Sequence, residues 1–254
     1  MTSLVAHSNR LFGRVSFDDT GASFSVQPMS NMSETQLPLF AQFTGATAEF
    51  DVTALDSAED PETFSADVFG VLGHTLDDGA VVEFLDGSTS LGSVTVANNQ
   101  GLPQHAILVL DSPVSLDTLT VKITNADGGR IGAVWASPSF RTKFSIDDFG
   151  FDANSLSDLE WASATGWANR RASQDTVRVT FPWMSKAEAI GPAWPNWRAI
   201  ARIIGIHSPV IVMPDNAEMG YSLYGRVESF PSTQPQPTPM ASHWRGGVNV
   251  IEEG

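Results

Sequence analysis

The stretch Val71-Leu-Gly-His-Thr-Leu-Asp-Asp-Gly79, followed by Ala80-Val-Val-Glu-Phe-Leu85 and the turn Asp86-Gly87, indicates the fold class of this chain. Runs rich in Val, Ile, Thr and Phe alternate here with Asp-Gly turns, and the same pattern extends from Phe64 to Phe140. Turns at intervals of roughly ten residues are typical of a β-sandwich. We therefore predict a mainly β fold with a β-sandwich over residues 1–140.

The side-chain alternation within this region indicates which faces are buried. Leu119, Val121 and Ile123 alternate with polar residues, so these three side chains should point into the core. The run 105–111 carries apolar residues on both faces. We expect that strand to lie in the centre of a sheet.

The second half of the chain reads as a smaller β-rich domain, 141–254, which begins after Ser137-Pro138. A helix is predicted near 185–205, because Ser185 and Glu188 fit a capping box and an apolar i, i+3, i+4, i+7 face follows, although Gly and Pro residues interrupt it. The proline-rich segment 232–239 is predicted to be an extended connector, and residues 247–251 a short final strand.

Composition and charge exclude several classes of protein. The chain of 254 residues is 42% hydrophobic, contains no Cys and has a formal net charge of −15. Residues 1–140 hold 4 Lys and Arg against 17 Asp and Glu, whereas residues 141–254 hold 10 against 12. Nucleic acid is not expected as a partner, since phosphate binding needs a basic surface. No apolar run is long enough for membrane insertion, and the N-terminal residues lack a signal-peptide pattern, so we expect synthesis in a cytoplasm.

No motif in the sequence predicts catalysis, a cofactor or a metal site. The histidines lack ligand spacing, and a structural or solvent-facing role is favoured for each of them: His7, His74, His105, His207 and His243. The Asp pairs 18–19 and 77–78 lie in predicted turns, where Asp is favoured for its own backbone hydrogen bonds; Ca²⁺ binding is the less favoured alternative.

The Trp and Pro residues of the second half of the chain are candidates both for core packing and for contacts with other proteins. Core packing is the favoured reading for the Trp residues, and anchoring in an assembly is the next. The candidate assembly contacts are Trp194, Trp197, Pro235, Pro237 and Trp244.

Two segments resemble a known family. Val71–Gly79 and Gly128-Gly-Arg-Ile-Gly-Ala-Val-Trp-Ala-Ser-Pro-Ser-Phe140 are similar to segments of tail proteins of tailed bacteriophages. That family has a Leu-Gly-His-Asn-Leu strand and a later strand that ends in Gly-Arg-Leu-Trp-Ala-Gly-Pro. Thr75 and Ser137 depart from this pattern. The resemblance extends over most of residues 64–254.

The resemblance implies a galactose-binding-like jelly roll joined to a smaller β-rich domain that docks on a phage tail. The expected function is a structural component of a tail tip or baseplate. Several copies would contact one another and neighbouring tail proteins in the virion. The alternative is a carbohydrate-binding module that attaches the particle to host-surface glycan, and a glycan-degrading enzyme is the least favoured hypothesis. The candidate saccharide-facing loop residues are His74, Asp77, Asp78, Asn98, Asn99 and Gln100.

Overall fold

A computed structural model describes residues 4–20, 24, 29–33, 39–97, 105–142, 148–154, 158–160, 167–169, 174–192, 196–206, 208–213, 222–235 and 243–252. The chain divides into two compact units. One, the sandwich unit, is Val5–Ser139; the other, the C-terminal unit, is built mainly from Phe140–Ala217 and Leu223–Glu253. Strand β1 (Leu4–His7) begins one residue before the range of the sandwich unit, and strand β12 (Ser139–Arg141) ends two residues after it.

Among its described residues, the sandwich unit contains a five-stranded, a three-stranded and a two-stranded antiparallel sheet. The five-stranded sheet has the order β2 (Val15–Asp19), β4 (Ala48–Ala54), β9 (Thr118–Thr124), β6 (Val81–Asp86) and β7 (Thr89–Thr95). The three-stranded sheet has the order β11 (Ala133–Ser137), β5 (Phe64–Leu72) and β8 (His105–Leu116). The remaining pair is β10 (Gly129–Ile131) with β3 (Ala41–Phe43), and a 3₁₀ turn spans Met29–Ser33.

The core of this unit lies between the five-stranded and three-stranded sheets. Leu119, Val121 and Ile123 are fully buried in it, as their alternation predicts. Phe69 of β5 and Phe84 of β6 have ring centroids 6.0 Å apart, which joins the two sheets. Five antiparallel strands that face three form a jelly-roll type of β-sandwich. The predicted fold class is confirmed.

Two expectations about individual strands are wrong. The strand that begins at His105 is at the edge of its sheet, and β5 is central. Its second apolar face is explained by a contact with another sheet, because Leu108 packs against the Gly92 backbone in β7. The final strand is longer than the predicted 247–251 and is central.

The described strands of the C-terminal unit form a sheet around that final strand. Their order is β17 (Pro209–Met213), β18 (Leu223–Ser229), β20 (His243–Glu252), β16 (Gln174–Ser185) and β13 (Asp148–Asn154). Strands β14 (Asp158–Glu160) and β15 (Trp167–Asn169) pair with each other. Within the predicted connector, Gln234–Pro235 is a two-residue strand, β19, which pairs with β20. Proline is tolerated there because β19 is a short edge strand.

Two helices interrupt the strands, as the sequence predicts. Helix α1 (Lys186–Ile190) begins with the capping box, in which Glu188 N–H donates to Ser185 Oγ (3.2 Å) and Ser185 N–H donates to a Glu188 carboxylate oxygen (2.7 Å). Helix α2 (Trp197–Ile204) begins after Asn196 and ends at Gly205, whose φ is +65°. No helix among the described residues has the length and apolar character of a membrane span.

Candidate functional site

Three loops of the sandwich unit meet at one end of the five-stranded sheet. Ala48, the first residue of β4, pairs with Ile123 near the end of β9, and Val81, the first residue of β6, pairs with Thr124. The loops 44–47, 73–80 and 125–128 therefore lie side by side. This end of the sandwich carries one of the two predicted saccharide-facing loops.

Hydrogen bonds join these loops to one another. Asp127 N–H donates to Asp77 Oδ2 (3.0 Å), and Gly128 N–H donates to the Gly45 carbonyl (2.8 Å). Gly128 has a φ of +78°, and a Cβ there would lie 3.2 Å from the Phe43 carbonyl oxygen, so glycine suits this close approach.

Arg130 is held at the same end by both its backbone and its side chain. Its N–H donates to Thr75 Oγ1 (3.1 Å), and its carbonyl accepts from the Thr75 N–H (3.1 Å). Its guanidinium carbon lies 4.5 Å from the centroid of the Phe40 ring, a cation–π contact. The Phe40 carbonyl in turn accepts from Asn31 Nδ2 (2.9 Å). Arg130 is exposed, and Phe40 is half-buried.

We call Phe40, Thr75, Asp77, Asp127 and Arg130 the end-loop cluster. Arg130 offers several N–H donors in a fixed plane, the carboxylates offer acceptors, and Phe40 offers an apolar surface. The cluster therefore combines hydrogen-bond donors, acceptors and apolar surface, the kinds of group that line small-molecule binding sites.

His74 belongs to the structure of this end and not to its surface. Its side chain is only 4% exposed, and its Nδ1 accepts from the Leu76 N–H (3.3 Å). Burial lowers the pKa of His74 to about 4, so the ring is neutral at pH 7. A neutral, buried ring does not contact a ligand in solvent.

The other predicted saccharide-facing residues are placed as follows. Asp77 and Asp78 are exposed in the turn that leads into β6, where the Ala80 N–H donates to the Asp77 carbonyl (3.1 Å). Asn98, Asn99 and Gln100 lie outside the described residues.

Three of the predicted assembly contacts lie among the described residues: Trp197, Pro235 and Trp244. Trp197 is fully buried, with its ring centroid 5.3 Å from that of Phe140, 5.0 Å from Phe181 and 5.8 Å from Phe230. Trp197 is therefore a core residue, and its assignment as an assembly contact is corrected. Pro235 is exposed and pairs in register with the half-buried Trp244. Trp194 and Pro237 lie outside the described residues.

The charges around the end-loop cluster make Arg130 distinctive. It is one of four basic residues among residues 1–140, which also hold 17 acidic ones. Lys122 lies 3.8 Å from a Glu49 carboxylate oxygen, and Arg14 donates to the Asp56 carbonyl at the opposite end of the sheet (3.3 Å). Within the described part of the chain, no group of three or more His, Cys, Asp or Glu side chains is arranged to hold a metal ion.

Sequence reasoning missed Phe40, Thr75, Asp127 and Arg130. Their proximity depends on pairing between residues that are far apart in the chain, such as Thr75 with Arg130. One feature of the sequence could have indicated Arg130. It directly follows the Asp-Gly-Gly turn 127–129 and is one of four basic residues among residues 1–140.

The fold and the end-loop cluster define a class of protein: a β-sandwich with an exposed cationic, aromatic and acidic cluster on the loops at one end. No protein-family model and no curated protein matches the chain.

Among solved structures, the chain is similar to the family 32 carbohydrate-binding module of C. perfringens NanJ in complex with galactose. That match has 11% identity and a TM-score of 0.37, and covers 52% of this chain and 98% of the module.

Two fucosidases also match. The Ruminococcus gnavus GH29 fucosidase in complex with fucose has 11% identity, a TM-score of 0.37 and 54% coverage of this chain. A protein described as a putative alpha-L-fucosidase from Bacteroides thetaiotaomicron has 18% identity, a TM-score of 0.35 and 52% coverage. The matched region spans 27% and 28% of these two enzymes. Similarity at this level does not identify a ligand or an activity of this chain.

Proposed function

We propose that the sandwich unit is a non-catalytic saccharide-binding module and that the end-loop cluster is its binding site. The observation that carries this proposal is the exposed Arg130 guanidinium, which lies over the Phe40 ring at the same end of the sheet as the loops that carry Asp77 and Asp127.

The chemistry of the cluster suits a sugar ring. Sugar hydroxyl groups both donate and accept hydrogen bonds, so a site needs donors and acceptors close together. Arg130 supplies donors and Asp77 supplies a carboxylate, while Phe40 and the neighbouring Leu39, which is 43% exposed, supply apolar surface. The links between the loops hold these groups before a ligand arrives, which reduces the entropy lost on binding.

A test is to screen the full chain against a broad panel of immobilised saccharides and to measure the affinity of each retained saccharide by titration calorimetry. We expect Arg130→Ala to weaken binding by about tenfold or more, because hydrogen bonds from a charged donor contribute about 1.5–3 kcal/mol. Arg14→Ala, at the opposite end of the sheet, is the matched control and should bind as the unmodified chain does. Retention of no saccharide, or equal binding by Arg130→Ala, contradicts the proposal.

A second candidate function is a structural component of a phage tail tip or baseplate, which rests on the family resemblance. The two resembling segments are neighbours in the fold, since Ala133 pairs with Leu72 and Val134 with Val71. Residues such as Val71, Leu76 and Trp135 in these segments are buried, so the shared motifs serve the fold. The two functions are compatible, because a tail protein can also carry a saccharide-binding domain.

This second candidate is tested by gold-labelled antibody imaging of particles released from cells that produce the chain. Label at the tail end in a regular arrangement is the expected result. Absence of label from every particle contradicts the tail assignment and leaves the saccharide-binding proposal as it stands.

A further inference from the structure

Helix α2 in the C-terminal unit and the residues that follow it carry side chains that the described residues leave exposed. Trp197, Ile200 and Ile204 point into the core. Away from that core, Ile203 near the end of the helix and Ile206, which follows the helix after Gly205, are 60% and 61% exposed. Arg198 and Arg202 are also exposed on this helix. We call Arg198, Arg202, Ile203 and Ile206 the α2 face.

The position of Arg198 is unfavourable for the helix itself, whereas Arg202 lies in the last turn, where the helix dipole favours a cation. Arg198 lies in the first turn, where the positive end of the helix dipole disfavours a cation. Arg198 and Arg202 are also four residues apart, a spacing at which like charges repel. The first turn of α2 contains no acidic residue, whereas the first turn of α1 contains Glu188. Neither arginine has a carboxylate partner among the described residues. Arg198 thus breaks local rules without a compensating contact among the described residues, which points to a contact with another molecule.

The α2 face is presented on a rigid base. The Trp197 ring contacts three other aromatic rings, and a Cβ on Gly246 of β20 would lie 2.8 Å from the Trp197 ring. The N-cap bond from the Ala199 N–H to Asn196 Oδ1 (3.0 Å) fixes the start of the helix. A partner that binds this face therefore loses little conformational entropy of the helix.

The complementary surface is present on the same chain in the acidic loop, Asp56–Glu62. This loop contains four carboxylates within seven residues, and those of Glu59, Asp60 and Glu62 are exposed. Its backbone is fixed, because Asp56 Oδ1 accepts from the Ala58 N–H (2.7 Å) and the Asp60 N–H (3.1 Å). Exposed Ala58 and Pro61 add apolar surface between the charges.

We propose that the α2 face of one copy binds the acidic loop of a second copy, so that the protein self-associates head to tail. Two arginines meet an excess of carboxylates, and the two isoleucines are covered by the same contact. Because the two surfaces differ, the contact is heterologous and builds a closed ring or an open filament. This inference does not depend on saccharide binding by the end-loop cluster.

The test is analytical ultracentrifugation of the full chain over a wide concentration range. We expect concentration-dependent association that weakens by about tenfold or more in the double variant Arg198→Glu with Arg202→Glu. The double variant Lys186→Glu with Arg178→Glu is the matched control, since both residues are exposed in the same unit but lie outside the α2 face. It should associate as the unmodified chain does.

Charge exchange makes the test specific for the acidic loop. Glu59→Arg with Glu62→Arg should also weaken association, and a chain that carries all four reversals should recover it. Thermal unfolding of each variant shows whether it is folded. The single substitution Ile203→Ser, which leaves the net charge unchanged, should also weaken association.

Two results would overturn the proposal. One is a monomeric chain at every concentration; binding of that monomer to vesicles containing phosphatidylglycerol through Arg198 and Ile203 would identify a lipid surface as the occupant instead. The other is association that the α2 reversal leaves unchanged or that the four-reversal chain fails to recover.

Discussion

Two histidines of the sandwich unit are buried as neutral rings, and this has a consequence for stability. Burial lowers the pKa of His74 to about 4; burial, with a smaller contribution from the nearby Arg10 guanidinium, lowers that of His7 to about 4. The unfolded chain binds a proton on each ring below about pH 6.5, whereas the folded chain does so only near pH 4. Folding is therefore increasingly opposed as the pH falls between these values.

We expect the free energy of unfolding to decrease by about 2 kcal/mol per histidine between pH 7 and pH 5. His74→Asn should make this decrease shallower, because Asn can still accept the Leu76 N–H bond but does not titrate. Urea unfolding at a series of pH values measures the slope. An identical slope in His74→Asn would show that His74 is not the titrating group.

Gly246 is another residue on which the packing depends. A Cβ at this position would lie 2.7 Å from Met184 Cε and 2.8 Å from the Trp197 ring, which is already packed against three other aromatic rings. Gly246→Ala should destabilise the C-terminal unit by about 1–3 kcal/mol through overpacking. Gly70→Ala is the control, because its added carbon would meet neighbours at ordinary contact distances of 3.4–3.5 Å. Equal unfolding midpoints for the two variants would contradict this account.

At the residue scale, sequence alone could not distinguish buried from exposed side chains in loops. His74 lies between strands in a turn-rich stretch, where a solvent-facing position is a reasonable prediction. Its burial results from packing of the loop onto residues that are remote in the sequence. Trp197 was open to two readings, core or contact, and only the aromatic rings of Phe140 and Phe181 decide between them.

At the scale of the element, the start of α1 offers a direct test of a sequence motif. Ser185→Ala removes the acceptor for the Glu188 N–H and should cost about 1 kcal/mol of stability. Glu188→Gln is the matched variant, because Gln also completes a capping box and should cost less. Chemical unfolding of both variants measures the difference. A loss in Glu188→Gln as large as in Ser185→Ala would show that the Glu188 charge contributes as much at this end as the hydrogen bond to Ser185.

Helix boundaries and strand faces were predictable because their signals are local. Asn196, Ser185 and Gly205 act within one turn of the helix, and the Leu119–Ile123 alternation is a property of one strand. The position of a strand within its sheet is not local. Strand β8 has a second apolar face because Leu108 packs against Gly92 in β7. Strand β20 extends beyond its apolar run because β16 and β19 continue to pair with it.

At the scale of the whole molecule, the uneven charge should make salt act in two directions. Repulsion among the 17 acidic residues of residues 1–140 destabilises the sandwich unit, and salt screens that repulsion. We expect the melting temperature to rise with sodium chloride while self-association weakens. The double variant Arg198→Glu with Arg202→Glu should show the same rise without the change in association. A melting temperature that falls with salt would contradict the repulsion argument.

The central position of β20 also affects how the protein is made. Its neighbours β16 and β18 precede it in the sequence, so both leave the ribosome before the strand that joins them. The strands of the sandwich unit are translated earlier and can pair while synthesis continues. For the interval until His243–Glu252 emerges, the nascent chain carries a folded domain beside strand edges that lack their partner. Chaperone dependence during translation should therefore concentrate on the second unit, and codon changes that slow synthesis between β18 and β20 should lower the soluble yield.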